Sequence, residues 1–271
     1  AHELFTEQKE IVSRPMIHKL WLFIEKFAVP KFKYGYTVSP FISKELKRRY
    51  KVNYEVIRNL PNYYSFSASA PEERMDKFLI YQGAVNEGRS FETLIPAMQN
   101  VNSKLRIYGS GNFIEQTKNL IIANNVQNKV ELMGYVLPEK LKEITTDSYI
   151  GLMLFEKTGL NQYYSLSNRF FDYIMAAIPQ LCVNYPEYKT VNDKFNIAYM
   201  IEDTDAETIT QALNKLLNDA KLYQQLHQNC LKAREELNWE KEQNKLIKFY
   251  EEIATSIMHY RVIKIRKKNF K

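Results

Sequence analysis

From Phe78 onward, short apolar runs alternate with stretches whose apolar residues recur at helical spacing. The runs Phe78–Gln82, Leu105–Tyr108, Val130–Met133, Ile150–Phe155, Leu181–Val183 and Ala198–Ile201 read as strands. Helices are expected near 91–99, 112–124, 138–145, 167–178, 206–218 and 220–237. Such alternation predicts a parallel α/β sheet with helices on both faces, a doubly wound fold. Residues 1–58 carry a shorter pattern: a helix about 16–28, a strand at 35–38, a helix about 40–50 behind Pro40, and a strand at 55–57. That is a fragment of a second sheet. Asn59–Glu73, rich in Ser, Pro and Asn, reads as a connection. The expected organisation is therefore a partial first Rossmann-like domain at 1–60, a linker at 61–76 and a second Rossmann-like domain at 77–238, with a cleft between them. The chain opens on Ala-His-Glu with nothing resembling a first strand, so it is expected to lack its true beginning.

At 271 residues and 45% hydrophobic content, the chain can bury a full core. It has no run of about 18 apolar residues, and Ala1–Gln8 lacks the basic-then-apolar order of a signal peptide, so a cytoplasmic location is expected. Cys182 lies in a strand-like run and Cys230 in a helical one; neither metal spacing nor a disulfide framework results, and both read as buried thiols. Lys and Arg number 38 against 31 Asp and Glu, a net charge of +7, with much of the excess in His259–Lys271. In this tail the basic residues interleave with Tyr260, Val262, Ile263, Ile265 and Phe270. It suits an anionic bilayer surface, at about 1 kcal/mol per basic residue. The same charges attract nucleic acid, and a solvated extension is the plainer alternative.

The most informative stretch is Tyr164–Pro179, a polar turn feeding an apolar helix. Ser165 or Ser167 can cap the helix, leaving first-turn amides and the positive end of the dipole to face an anion, usually phosphate. Arg169 adds a planar donor there, and Asp172, about one turn further in, can accept hydrogen bonds from a sugar diol. Diphosphate and ribose together make a nucleotide; the same residues also fit a capped, buried helix with a surface arginine. Two glycine loops follow strands. In Gln82–Arg89, Gly83 and Gly88 let the backbone approach a ligand, and Arg89 stands at the next helix as a diphosphate ligand. In Tyr108–Gly111, Gly109 and Gly111 form a phosphate-type loop or plain turns. A dinucleotide fingerprint fails, because Ile114 holds the third glycine position and Glu131 lies within its strand. Asp203 and Asp205 resemble a metal pair, but Thr204 with Glu207 reads as a capping box. The four histidines form no ligand cluster, and no metal is expected.

Taken together, these residues resemble the retaining, nucleotide-sugar-dependent glycosyltransferases of family 4, which have the two-domain GT-B fold. The resemblance extends to about residue 256. It implies that Gly83 to Arg89 and Gly109-Ser-Gly111 are the donor loops, and that Gly134 and Tyr135 lie near the nucleobase. The family's signature helix becomes Ser165, Leu166, Ser167, Asn168, Arg169 and onward to Pro179, with Asp172 on the ribose. His2 would lie beside the reacting sugar, and a C-terminal helix at 239–257 would cross back to the acceptor-side first domain, ahead of a basic tail at 258–271. The family's paired glutamates, eight residues apart, are here Tyr164 and Asp172; the arginine often found after the first glycine is Ala84; and Ala177 stands where glycine is usual. The implied function is sugar transfer from a nucleotide-diphosphate donor to a glycan or lipid-linked acceptor in cell-surface polysaccharide synthesis. Arg89, Arg169 and His2 would be the catalytic residues. The expected setting is the inner face of the plasma membrane, with no metal, cofactor or nucleic acid. A non-catalytic nucleotide-sugar binder and a nucleotide-sugar epimerase of similar fold are the alternatives.

Overall fold

The chain begins with helices α1 (Lys9–Val12) and α2 (Pro15–Ala28), then β1 (Tyr36–Thr37), α3 (Pro40–Tyr50) and β2 (Glu55–Val56) in the computed structural model, which describes residues 1–65 and 77–268, the last of these from 257 by backbone alone. α3 starts where Pro40 presets the first helical φ and Ser39 Oγ accepts from Ile42 N at 3.2 Å; it ends at Lys51 in the left-handed conformation. β1 and β2 pair in parallel, with the helix as crossover. Ala1 flanks β1, its ammonium donating to Tyr36 O at 2.6 Å and its carbonyl accepting from Val38 N at 3.2 Å. Leu4, Val38, Ile42, Leu46 and Val52 form a small core of this unit's own.

The larger unit runs through β3 (Phe78–Gln82), α4 (Phe91–Ala97), β4 (Lys104–Tyr108), α5 (Ile114–Ala123), β5 (Val130–Gly134), α6 (Pro138–Asp147) and β6 (Ile150–Met153). It continues with α7 (Leu160–Tyr163), α8 (Asn168–Met175), β7 (Gln180–Val183), α9 (Pro186–Phe195), β8 (Ala198–Ile201), α10 (Ala206–Asn218), α11 (Ala220–Ala233) and α12 (Trp239–Lys268). Its strands are all parallel, in the order β5-β4-β3-β6-β7-β8. The doubly wound α/β fold expected from the alternation is thus the one found. β3, β6 and β7 are buried at every position, which explains their unbroken apolar runs. The strand order reverses between β3 and β6, and ligands of such sheets bind at the carboxyl ends of the strands flanking that reversal.

Several boundaries differ from expectation. β6 stops at Met153, and α9 and the short α1 and α7 appear where no helix was predicted. α12 runs on as helix to Lys268, through most of the expected tail. Its start touches the first unit's exit: Trp239 N donates to Pro61 O at 2.9 Å, Tyr63 N to Glu240 Oε2 at 2.8 Å and Arg58 N to Glu242 Oε1 at 2.8 Å. Further along, Phe249 packs edge-on against Tyr36, 5.6 Å between ring centres. The expected linker lies largely outside the described residues. Cys182 and Cys230 are buried free thiols. The capping box at Thr204 does not form: Asp205 takes the N-cap position of α10, and Asp203 Oδ1 accepts from Asp205 N at 3.0 Å.

Candidate active site

α8 is seated on the sheet by a missing side chain. A Cβ at Gly151 in β6 would lie 2.5 Å from the Tyr173 ring, so glycine lets Tyr173 lie flat on the strand and donate to Ile80 O at 3.2 Å. α8 closes in a Schellman motif, with Ile178 N donating to Tyr173 O and Ala177 N to Ile174 O, each at 3.0 Å. The motif needs a left-handed residue, and Ala177 supplies it at φ 55°, which explains why glycine is usual at that place. Tyr173 is thereby fixed, and Asp172 and Arg169, on the same helix, point at the carboxyl ends of β3 and β6.

A cavity of about 440 Å³ opens there. His2, Glu3 and Ile42 of the first unit border it, together with Gly83, Arg89, Ser165, Leu166, Ser167, Asn168, Arg169 and Asp172 of the larger one. The sequence-predicted residues from both ends of the chain thus meet around one space. Gly109, Gly111, Gly134 and Tyr135 lie outside its wall. Gly109 and Gly111 act on the neighbouring loop instead: a Cβ at Gly109 would fall 1.8 Å from Gly83 O, and one at Gly111 2.2 Å from Val85 O. The loops are laced by Gly83 N to Tyr108 O at 2.9 Å and Val85 N to Ser110 O at 3.0 Å. Tyr164 is likewise a packing residue, stacked on Phe41 of α3 at 5.4 Å.

The two arginines converge on one ring. The Arg89 guanidinium carbon lies 4.6 Å and that of Arg169 4.7 Å from the centre of Phe155, just beyond β6. Arg169 is 7% exposed; its Nη1 donates to Gln82 O at 2.9 Å, and its Nε has no hydrogen-bond partner. Arg89 Nη1 reaches the Gln162 side-chain oxygen at 3.1 Å once that amide is turned to satisfy its neighbours. Among the described residues neither guanidinium is paired with a carboxylate. Burial first, and the Arg169 charge second, hold Arg89 below its ordinary pKa. Arg169 itself, whose burial is outweighed by Tyr81 and Tyr173, lies above its ordinary pKa, so the penalty of the paired charges falls on Arg89, and a multiply charged anion removes it.

Asp172 is half-buried, and its Oδ2 accepts from Gln82 Nε2 at 3.1 Å. Gln82 Oε1 in turn lies 2.7 Å from Thr145 Oγ1, so the amide cannot rotate without losing a partner. Burial raises the Asp172 pKa from 3.8 to about 6, against the opposing effects of Gln82, Lys142 and Arg169. At neutral pH it is a poorly solvated carboxylate with acceptor capacity to spare. Sequence reasoning missed Gln82 and Phe155 as site residues; the position of Gln82 at the end of a buried strand was the available signal. It also expected open first-turn amides and a serine cap. Ser167 does stand at the N-cap, but its hydroxyl makes no cap bond, and its amide donates to Tyr188 Oη at 3.2 Å. Glu131 is occupied by Lys104 at 3.1 Å and Arg106 at 2.9 Å. No group of three or more metal-type ligands occurs among the described residues.

A family model described as "Glycosyl transferases group 1" matches residues 65–233. No curated protein sequence matches the chain. Among solved structures, a glycosyltransferase from Rickettsia africae aligns at 14% identity and TM-score 0.71, covering 87% of this chain and 67% of its own. A sucrose-phosphate synthase from Thermosynechococcus elongatus aligns at 16% identity and TM-score 0.75, covering 88% of this chain and 62% of its own. A pneumococcal O-GlcNAc transferase, solved with UDP and GlcNAc, aligns at 15% identity and TM-score 0.68, covering 85% of this chain and 47% of its own. At these identities the likeness is one of fold, of the GT-B type.

Proposed function

The chain belongs to the group 1 glycosyltransferase family, and from that premise we propose that it moves a sugar from a nucleotide-diphosphate donor to a glycan or lipid-linked acceptor. The observation that carries this reading is the pair of unpaired guanidinium groups facing one cavity at the strand-order reversal. Arg89 and Arg169 would stabilise charge developing on the leaving diphosphate, a role that needs no metal. Asp172, steadied by Gln82, would accept from the ribose hydroxyls. His2, which the first unit brings to the same cavity, would stand near the anomeric carbon or the acceptor. Gly109, Gly111, Gly134 and Tyr135 would shape the loops beside the donor. Retention of configuration and a place in cell-surface polysaccharide synthesis at the cytoplasmic membrane face are part of the same proposal. So is the division into an acceptor-side first unit, a donor unit and a helix joining them.

Calorimetric titration with UDP, GDP, ADP, CDP and NAD tests it, with Arg89→Ala and Asp172→Ala beside the parent chain. One nucleoside diphosphate is expected to bind, to bind equally well in EDTA, and to lose about tenfold or more in affinity, roughly 1.4 kcal/mol, in each variant. A folded chain that binds none of them, or binds one with indifference to both substitutions, would overturn the assignment.

A further inference from the structure

We propose that Gln162 is the positioning residue of Arg89: its neutral amide holds the guanidinium at the cavity wall without taking its charge, which stays available to a diphosphate. The role rests on Arg89 being the diphosphate ligand proposed above. Gln162 lies in α7, and its amide has one orientation. With its neighbours satisfied, Nε2 donates to Glu156 O at 2.9 Å and to Thr158 Oγ1, which leaves Oε1 to accept from Arg89 Nη1 at 3.1 Å. Turned over, the amide would set its oxygen against the Glu156 carbonyl, and neither can donate. Gly88 provides the room: a Cβ there would lie 2.9 Å from the amide, at a φ of +78° that suits glycine. Gly88 O also accepts from Glu156 N at 3.2 Å, so the segment that carries Arg89 is tied to the one that orients Gln162. α7 is itself held, since Asn161 Oδ1 accepts from Leu4 N at 3.0 Å.

Neutrality matters here because of what lies behind the arginine. A second cavity of about 310 Å³ adjoins the first, and Arg89 and Gln162 border both. Four carboxylates line it: Glu3, Glu7, Glu10 and Glu87. Three of them are occupied elsewhere. Glu3 accepts from Gln8 Nε2 at 2.6 Å, Glu7 lies 2.7 Å from Arg49, and Glu87 lies 2.5 Å from Lys9. Among the described residues none of the four is paired with Arg89, whose hydrogen bond goes to the amide instead. A guanidinium held by a carboxylate must give up a charge-assisted partner before it can bind phosphate oxygens. An amide oxygen supplies the aim without that competition. Since burial, and after it the Arg169 charge, already disfavours the Arg89 cation, the pull toward any nearby acid is strong, and Gln162 fills the place where one would pair.

The test is a double-mutant cycle on the full chain, read by calorimetric titration of whichever of UDP, GDP, ADP and CDP the parent binds. Gln162→Glu offers an acceptor of the same reach that carries charge, and Gln162→Met fills the space with no acceptor. Gln162→Glu is expected to weaken diphosphate binding by about tenfold or more, and Gln162→Met by a smaller factor, about threefold. In an Arg89→Ala background both losses should shrink to within about twofold, because the group they act through is gone. Thermal melts show that each variant is folded; should Gln162→Glu not fold, Gln162→Met in the two backgrounds decides alone. A smaller loss in Gln162→Glu than in Gln162→Met would overturn the proposal, since the hydrogen bond would then suffice without neutrality. So would losses of equal size with and without Arg89, the mark of a merely structural residue. Unchanged affinity in both Gln162 variants, with Arg89→Ala still weakening binding, overturns the proposal and leaves the donor site standing. A parent that binds no diphosphate, or an Arg89→Ala variant that binds as the parent does, takes both down.

Discussion

Asp172 is held in a place that suits a ligand better than it suits the fold. Its carboxyl pKa rises from 3.8 to about 6 because burial disfavours the charge. A raised folded-state pKa contributes stability that is fully present below the unfolded value and is lost as pH rises through the folded one. Above about pH 6 the ionised Asp172 is therefore a liability, of up to about 3 kcal/mol for a shift of this size. Asp172→Asn keeps an oxygen for Gln82 Nε2 and removes the charge. Denaturant unfolding should find the variant more stable by about 1–3 kcal/mol near pH 8, with the difference vanishing below about pH 3. Donor affinity should behave in the opposite way. In the parent chain it should fall as pH drops through about 6, because a protonated acid accepts poorly from ribose hydroxyls, and the variant should bind weakly with no such step. A variant that is less stable at every pH would mean that Asp172 is held by attractions absent from this geometry.

At the scale of elements, the loops after β3 and β4 are one device rather than two. Gly109 stands at φ +146°, and a Cβ there would fall 1.8 Å from the backbone oxygen of Gly83, which cannot move aside. Gly134 also has positive φ, +70°, but nothing lies within 4 Å of its would-be Cβ. Gly109→Ala should therefore cost about 3 kcal/mol or more and displace Gly83 from the cavity, weakening nucleotide binding. Gly134→Ala should cost only the strain of a left-handed alanine, about 1 kcal/mol, and leave the cavity intact. Thermal melts paired with nucleotide titration separate the two; equal costs would mean that the loops are not in contact. The strands and most helices were legible because buried parallel strands leave unbroken apolar runs and α8 is bounded by a polar turn and Pro179. α9 was not, because only Tyr188, Val191 and Phe195 mark its inner face in an otherwise polar run; Pro186 at its start and left-handed Asn196 at its end were the local signals. In the site, Arg89, Arg169 and Asp172 were legible as charged residues in or beside apolar or glycine-rich stretches. Gln82 and Phe155 act through what they touch across the strand reversal, and contacts between distant segments leave no mark on either segment alone.

At the scale of the whole molecule, the small first unit is joined to the larger one through a few defined contacts. Leu4 N donates to Asn161 Oδ1 at 3.0 Å, Phe41 N donates to the buried Glu187 at 2.8 Å, and Arg58 N donates to Glu242 at 2.8 Å. Its own core is five residues against the extended core of the six-stranded sheet. Such a unit opens locally at lower free energy than the rest of the chain unfolds. Yet His2, Glu3 and Ile42 border the cavity that Arg89 and Asp172 line, so opening it dismantles one wall of the site. A ligand that needs both walls must then hold the first unit shut. At a concentration 100 times its dissociation constant, it adds about 2.7 kcal/mol to the cost of opening. Amide hydrogen exchange measures this directly at Val38 N and Ile57 N, which close the small sheet onto Ala1 O and Thr37 O. Saturation with the bound nucleoside diphosphate should slow their exchange by about 100-fold, the kinetic equivalent of that free energy. Unchanged exchange at both amides, with protection gained only around Gln82 and α8, would mean that the larger unit holds the donor alone and that the first unit serves the acceptor.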